Sequence, residues 1–318
     1  MPRPAVVNAD DLQEVGVSVA DLERLAVRAR HRVGISLLGV ALWMHFESAA
    51  AAERFSERYG DFPRALGLGV QCFAVSDPGR GLLLWAQPGS AYCWPGAGLS
   101  PDAIAFLADA IAWTSFFRAF PEEIVVLHGA AVGIKGAAAA IVGPTTAGKT
   151  TTAIACGRNG MRLLSDERVV LRGCEVTPFP RRLNVRLAAK RLLQWDSAHV
   201  GGLAAWQFGH LEGRSDMIVG IAQLFPGSLT GAPARLRALF ILGGKENTPR
   251  VTPLHWTAAL PAALSRAQAP GDTPAFVLRV ARAVRGAACY ELTLGRPDET
   301  ARLIRQLTLD HLSETEIA

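Results

Sequence analysis

Short apolar runs punctuated by turn residues fill the first third of the chain, and the elements they predict change character at about residue 100. Residues 9 to 30 (ADDLQEVGVSVADLERLAVRAR) carry acids early and arginines late, a distribution that complements a helix dipole, so a surface helix or two is predicted there. The apolar stretch Val33 to Phe46 is too short to cross a bilayer and contains Ser36 and His45, which makes it a core segment. The runs VQCFAVS and GLLLWAQ, separated by SDPGRG and followed by QPGS, have the pattern of strands joined by turns. A helix is predicted over Ser100 to Phe120, where a serine N-cap and Pro101 precede apolar residues at helical spacing. Pro121-Glu122-Glu123 stops it.

Beyond that stop the apolar runs lengthen. IVVLHGAAVGI and AAAAIVG predict two buried strands with GIKG as the turn between them, and TTTAIACGRNG predicts a helix closing on glycine. RLLSDERVVLRGCEV reads as a strand interrupted by the polar Ser165-Asp166-Glu167, with a turn at Arg172-Gly173. Further strands are predicted near RALFILGG and ACYELTLG, and helices near TAALPAALSRA, PAFVLRVARAVR and ETARLIRQL. The fold class is therefore α/β in two domains: a mixed α/β accessory domain over residues 1–122 and a second domain over 123–318.

Composition narrows the function classes. Of 318 residues, 50% are hydrophobic and 19% charged, which is the balance of a folded chain. The net charge of +5 comes from dispersed arginines with lysine only at 135, 149, 190 and 245, so there is no basic run to track a nucleic acid and none is expected as partner. Five cysteines with no Cys-x-x-Cys pair, and a start that holds acids but no apolar leader, point to a reducing cytoplasm and to no membrane partner.

The chemistry concentrates between residues 128 and 186. Gly143-Pro144-Thr145-Thr146-Ala147-Gly148-Lys149-Thr150, followed by Thr151, matches the Walker A pattern. In that pattern glycines let backbone N–H groups wrap a phosphate at a helix start. Lys149 is then placed to reach the β- and γ-phosphates of ATP, and Thr150 to put its hydroxyl on Mg²⁺. Asp166 and Glu167 end the strand that follows the loop's helix, so a parallel sheet returns these carboxylates to the phosphate edge, beside the metal or the attacking oxygen. His128 ends the strand IVVLH and is placed to pair with Asp166 across strand ends.

The stretch from His128 to Leu171 resembles the core of HPr kinase/phosphorylase: a His-Gly before a strand pair, a Walker A loop, a helix closing on glycine, and an Asp-acid pair. The resemblance implies a domain similar to the HPr kinase and phosphoenolpyruvate carboxykinase group. It also implies that His128 and Asp166 act together as the acid/base unit of phosphoryl transfer, with Glu167 near the metal. The family's later acid-Arg-Gly-x-Gly stretch has no counterpart; Phe179-Pro180-Arg181-Arg182-Leu183-Asn184-Val185-Arg186 stands in that region, which argues against the reverse phosphorylase reaction and against HPr as substrate. The chain looks closer to HPr-kinase-related proteins found beside peptide-modification genes, some of which phosphorylate a serine of a precursor peptide. Arg181, Arg182 and Arg186 then become candidates for binding a phosphate or a carboxylate of the substrate. Members of the family assemble as oligomers, so a homo-oligomer is implied too. The expectation is an ATP- and Mg-dependent kinase acting on a peptide or protein hydroxyl; the alternative is a nucleotide-binding sensor or scaffold that transfers nothing.

Overall fold

Turn chemistry and strand alternation set the first half of the molecule. The computed structural model describes residues 11–87, 90–95, 98–119, 124–194, 205–207, 215–225, 232–268 and 273–313. The chain divides into two compact units, one of Met1–Phe120 with Trp206–Asp216 and one of Pro121–Ala205 with Met217–Ala318. The sequence reading contains no such return of the chain to the first unit.

In the first unit β1 (Gln13–Val15) and α1 (Val19–Ala26) occupy the stretch expected to hold a surface helix or two. Then come β2 (His31–Leu37), β3 (Val40–Phe46), α2 (Ala49–Arg58), β4 (Gly69–Asp77), β5 (Gly81–Gln87), β6 (Ala91–Trp94) and α3 (Pro101–Arg118). The segment from Val33 to Phe46 is a hairpin because Leu38 and Gly39 both take positive φ, the requirement of a tight two-residue turn. The strands form one sheet in the order β1-β6-β5-β4-β3-β2. Side chains alternate across it: Phe73, Val75 and Trp85 pack with Leu25 of α1 on one face, while α2 and α3 pack on the other. Helix α3 starts where its sequence predicts, with Ser100 Oγ accepting from Ala103 N at 3.2 Å.

The second unit is built on a longer sheet. The elements that follow along the chain are β7 (Ile124–Ile134), β8 (Ala137–Val142), α4 (Lys149–Arg158), β9 (Arg162–Ser165), β10 (Arg168–Arg172), β11 (Glu175–Thr177), β12 (Leu183–Arg186), α5 (Leu187–Leu192), β13 (Ala205–Gln207) and β14 (Ser215–Val219), which fall largely or partly in the segment Trp206–Asp216 of the first unit, and α6 (Ile221–Leu224). They continue with β15 (Ala234–Lys245), β16 (Arg250–Leu254), α7 (Trp256–Leu264), α8 (Pro274–Arg285), β17 (Ala288–Leu294) and α9 (Pro297–Ser313). The sheet runs β11-β10-β7-β8-β15-β17-β16, with β9 also on β7 and β11 also touching β15. Helices cover both faces: α4 and α9 pack on Ala130, Val132 and Ile141, and α7 and α8 pack on Leu127, Ala138 and Ala140. The all-buried run Ala137–Val142 is what a strand covered on both faces must be, and its alanines let the helices approach closely. The structure is thus mixed α/β, and among the described residues no helix is long and apolar enough to cross a membrane.

One expectation about this sheet needs correction. Strands β8, β15 and β17 are parallel, but β9 does not pair with them; both β8 and β9 lie antiparallel against β7, on its two sides. The two strands bracketing α4 therefore run in the same direction with an antiparallel strand between them. Because direction, not adjacency, decides the edge, the carboxyl end of β9 still comes to the same edge of the sheet as the carboxyl end of β8.

Candidate functional site

The loop Gly143–Gly148 leaves the carboxyl end of β8 and enters α4, at the edge where β15 and β17 also end. Gly148 is the N-cap of α4 with φ +115°, so the backbone demands glycine there, while a β-carbon 2.8 Å from Leu294 Cδ1 would need only that side chain to turn aside. No side chain caps the helix, which leaves its first-turn N–H groups facing the loop. Thr146 also holds a positive φ of 70° without being glycine, and its carbonyl accepts from Lys245 Nζ at 3.4 Å. Lys149 is buried, and its Nζ donates to Gly143 O at 3.0 Å and Pro144 O at 2.9 Å.

Across this loop stands the acid pair. Ser165 lies opposite Ala131 and Arg168 opposite His128 on β7, so β9 and β10 are one strand line broken at Asp166-Glu167, as the polar interruption in the sequence predicts. Glu167 takes φ 70°, a conformation that costs a side chain about 1 kcal/mol or more and that tends to persist at functional sites. The kink is held by Ser165 Oγ donating to Arg168 O and by Gly129 N donating to Glu167 O at 3.2 Å. Gly129 also permits the close approach of β8, since a β-carbon on it would lie 2.7 Å from Ile141 O.

The kink turns the two carboxylates to different partners. Asp166 is buried, and both its oxygens accept from Thr150 Oγ1, each at 3.0 Å. Burial pushes its carboxyl up to about 6, against the opposing pull of the Thr150 hydroxyl, Arg181 and Lys149. Glu167 is more exposed and is ion-paired with Arg181, while Asn184 Nδ2 donates to it at 3.3 Å. Of the three arginines singled out in the sequence, Arg181 thus joins the acids. Arg186 lies within the electrostatic field of Lys149, and Arg182 makes none of these contacts.

His128 is brought to the same edge but not into the expected pairing: no hydrogen bond joins it to Asp166, whose acceptors face Thr150 instead. Burial lowers its imidazole to about 4, helped by Lys149, Arg168 and Arg266, so the ring is neutral at physiological pH. Burial likewise lowers Lys149, with Asp166 opposing and Arg266 and Arg186 adding to the effect.

Sequence reasoning misses Arg266, Arg168, Lys245 and Asn184. For Lys245 a signal existed: in a chain with lysine at only four positions, two of them meet at this loop. Trp256 packs on the α7–α8 side of the core, while Trp195 and the side chain of Trp206 lie outside the described residues.

Among the described residues no group of three or more His, Cys, Asp or Glu is arranged to hold a metal. The donor set that does exist, the Thr150 hydroxyl on the Asp166 carboxylate, suits Mg²⁺, which takes one or two protein oxygens and completes its shell with water and phosphate. Fold and site together define a mixed α/β protein with an uncapped helix start, a buried lysine and a buried carboxylate converging at the carboxyl ends of parallel strands.

No protein-family model matches the chain, and no curated protein sequence matches it. Among solved structures it is similar to the Hpr(Ser) kinase/phosphatase from Coxiella burnetii, at 12% identity and a TM-score of 0.31, over 60% of this chain and 98% of that one.

Proposed function

We propose that this chain is an ATP- and magnesium-dependent phosphotransferase that moves the γ-phosphoryl group to a hydroxyl, in particular a serine of a peptide or protein. The observation that carries the reading is the convergence of Lys149, Thr150 and Asp166, with Thr150 Oγ1 bonded to both carboxylate oxygens at the start of α4. Loop amides and the positive end of the helix favour a polyphosphate there, and Lys149 adds a compact cation that trades two carbonyl contacts for phosphate oxygens. Thr150 and Asp166 would hold Mg²⁺, with Glu167 beside them. When bound, the ion supplies neutralisation of charge on the phosphate oxygens.

The protein's own groups account for the proton. A carboxyl pushed up to about 6 is ionised at neutral pH yet basic enough to take a proton from a substrate hydroxyl as that oxygen bonds to phosphorus and ADP departs with the electrons of the broken P–O bond. His128 stays neutral beside it and keeps a donor for a phosphoryl oxygen. Arg181, fixed by Glu167, and Arg186 present guanidinium groups for an anionic part of the acceptor. The cytoplasm, where Mg-ATP is abundant, is the compartment this reading assigns.

The test is formation of ADP from ATP by the purified chain in the presence of magnesium and a serine-containing peptide. Turnover that EDTA abolishes and added magnesium restores is expected. ATP consumption at an unchanged rate in EDTA would remove the metal from the account, and none under any condition would remove catalysis.

A further inference from the structure

Strand β7 is longer than its partner β8, and what fills the vacated side is a short segment after α7. Pairing with β8 covers residues 129–134 only. Beyond it, His128 N donates to Arg266 O at 2.6 Å, Gln268 N donates to Val126 O at 2.7 Å, and Leu127 bridges Ala267 antiparallel. Arg266 is therefore directly across from His128, just as Arg168 is on the other side. Residues opposed in this way share a face and stand about 5 Å apart at their β-carbons. His128 has the same parity along β7 as Ala130 and Val132, which pack toward α4, so the row Arg168–His128–Arg266 lies on the face that carries the loop helix.

Like charges crowded on one row are unfavourable unless an anion joins them. Here Arg266 sits near enough to act electrostatically on both His128 and Lys149, and Arg186 adds to the crowding. Asp166 offsets part of the charge on Lys149 while its oxygens accept from Thr150, and Glu167 is engaged by Arg181 and Asn184. Arg168 lies against the Phe179 ring at 5.8 Å. Arg266 has its backbone fixed in the sheet by bonds that do not involve its side chain, so the guanidinium starts from a fixed point beside Lys149.

We propose that Arg266 binds the terminal phosphoryl group of a nucleoside triphosphate and makes the site prefer triphosphate to diphosphate. This rests on the phosphotransferase reading of the same site. The loop amides serve the phosphates common to ATP and ADP, and Lys149 spans the β-phosphate, which both carry, and the γ-phosphate. Arg266, on the far side of His128 from Arg168, meets the group present only in ATP, and its planar fork suits the oxygens of that group.

The experiment is calorimetric titration of Mg-ATP and Mg-ADP into the full chain, its Arg266→Gln variant and its Arg266→Lys variant. The Gln variant is expected to bind ATP about tenfold or more weakly with ADP changed by less than about twofold, and Lys to restore part of the difference. The backbone bonds of residue 266 survive both changes, and an unaltered unfolding midpoint checks that they do. Equal losses for ATP and ADP, or no loss in a wild type that binds ATP, would overturn the assignment to Arg266 while leaving the phosphotransferase reading in place. A wild type that binds neither nucleotide would bring down that reading, and this one with it.

Discussion

Asp166→Asn is expected to give a protein that is more stable than the wild type and unable to transfer phosphate. The carboxylate is buried, and its ordinary value of 3.8 is raised to about 6, so the folded state binds a proton more tightly than the unfolded chain. The sign follows directly. Below pH 4 the group is protonated in both states and costs nothing. As pH rises from about 4 to about 6 the unfolded chain ionises first and the fold loses stability, and above 6 the full penalty is present. Two pH units correspond to up to about 3 kcal/mol, which the neutral amide avoids while still accepting from Thr150. Urea unfolding of the two proteins in EDTA across pH 4 to 8 checks this: the curves should coincide at the acid end and separate through pH 6. Separation in the opposite sense would mean that Arg181 and Lys149 outweigh burial. Transfer by the variant should fall by about 10³-fold or more, because Asn cannot take the proton and is a poorer metal ligand.

Lys149→Met is expected to have the larger effect on binding. The methionine keeps the length of the buried stem and loses the ammonium that contacts Gly143 O and Pro144 O. A charge-assisted contact to phosphate in a partly desolvated site is worth about 2–3 kcal/mol, so the affinity for Mg-ATP should drop roughly 100-fold, with ADP affected almost as strongly. Titration calorimetry reads this, with circular dichroism as the control for folding. Undiminished affinity would show that the nucleotide sits elsewhere.

What was legible in the sequence is what depends on local chemistry. The Lys135-Gly136 turn, with φ of 49° and 80°, joins two apolar runs that could only be a buried hairpin, and the glycine-rich loop with the helix behind it follows from residues adjacent in the chain. The kink at Asp166-Glu167 was readable because two charges interrupt an otherwise apolar strand. Of the strands that carry no readable signal, β1 is three residues long inside helix-like composition, and β16 is an edge strand with Pro253 and no fully buried side chain. Strand direction was misjudged because an antiparallel neighbour leaves no mark on the sequence of β9.

The site's outer members were illegible for a different reason. Arg266 reaches His128 only because α7 ends where β8 no longer covers β7, and Lys245 reaches Thr146 only because β15 runs parallel beside β8. Neither residue has a neighbour in sequence that announces it. Asn184 differs: it lies within the FPRRLNVR stretch, where the flanking arginines carry the stronger signal for an anion.

Transfer of a phosphoryl group is read by mass spectrometry of peptides incubated with the full chain and Mg-ATP, with serine-containing peptides encoded by neighbouring genes as acceptors. The gain of one phosphate on a peptide serine is expected with the wild type and none with Asp166→Asn. Tight binding of ATP with no phosphate on any acceptor would contradict it and leave a nucleotide sensor or scaffold in its place.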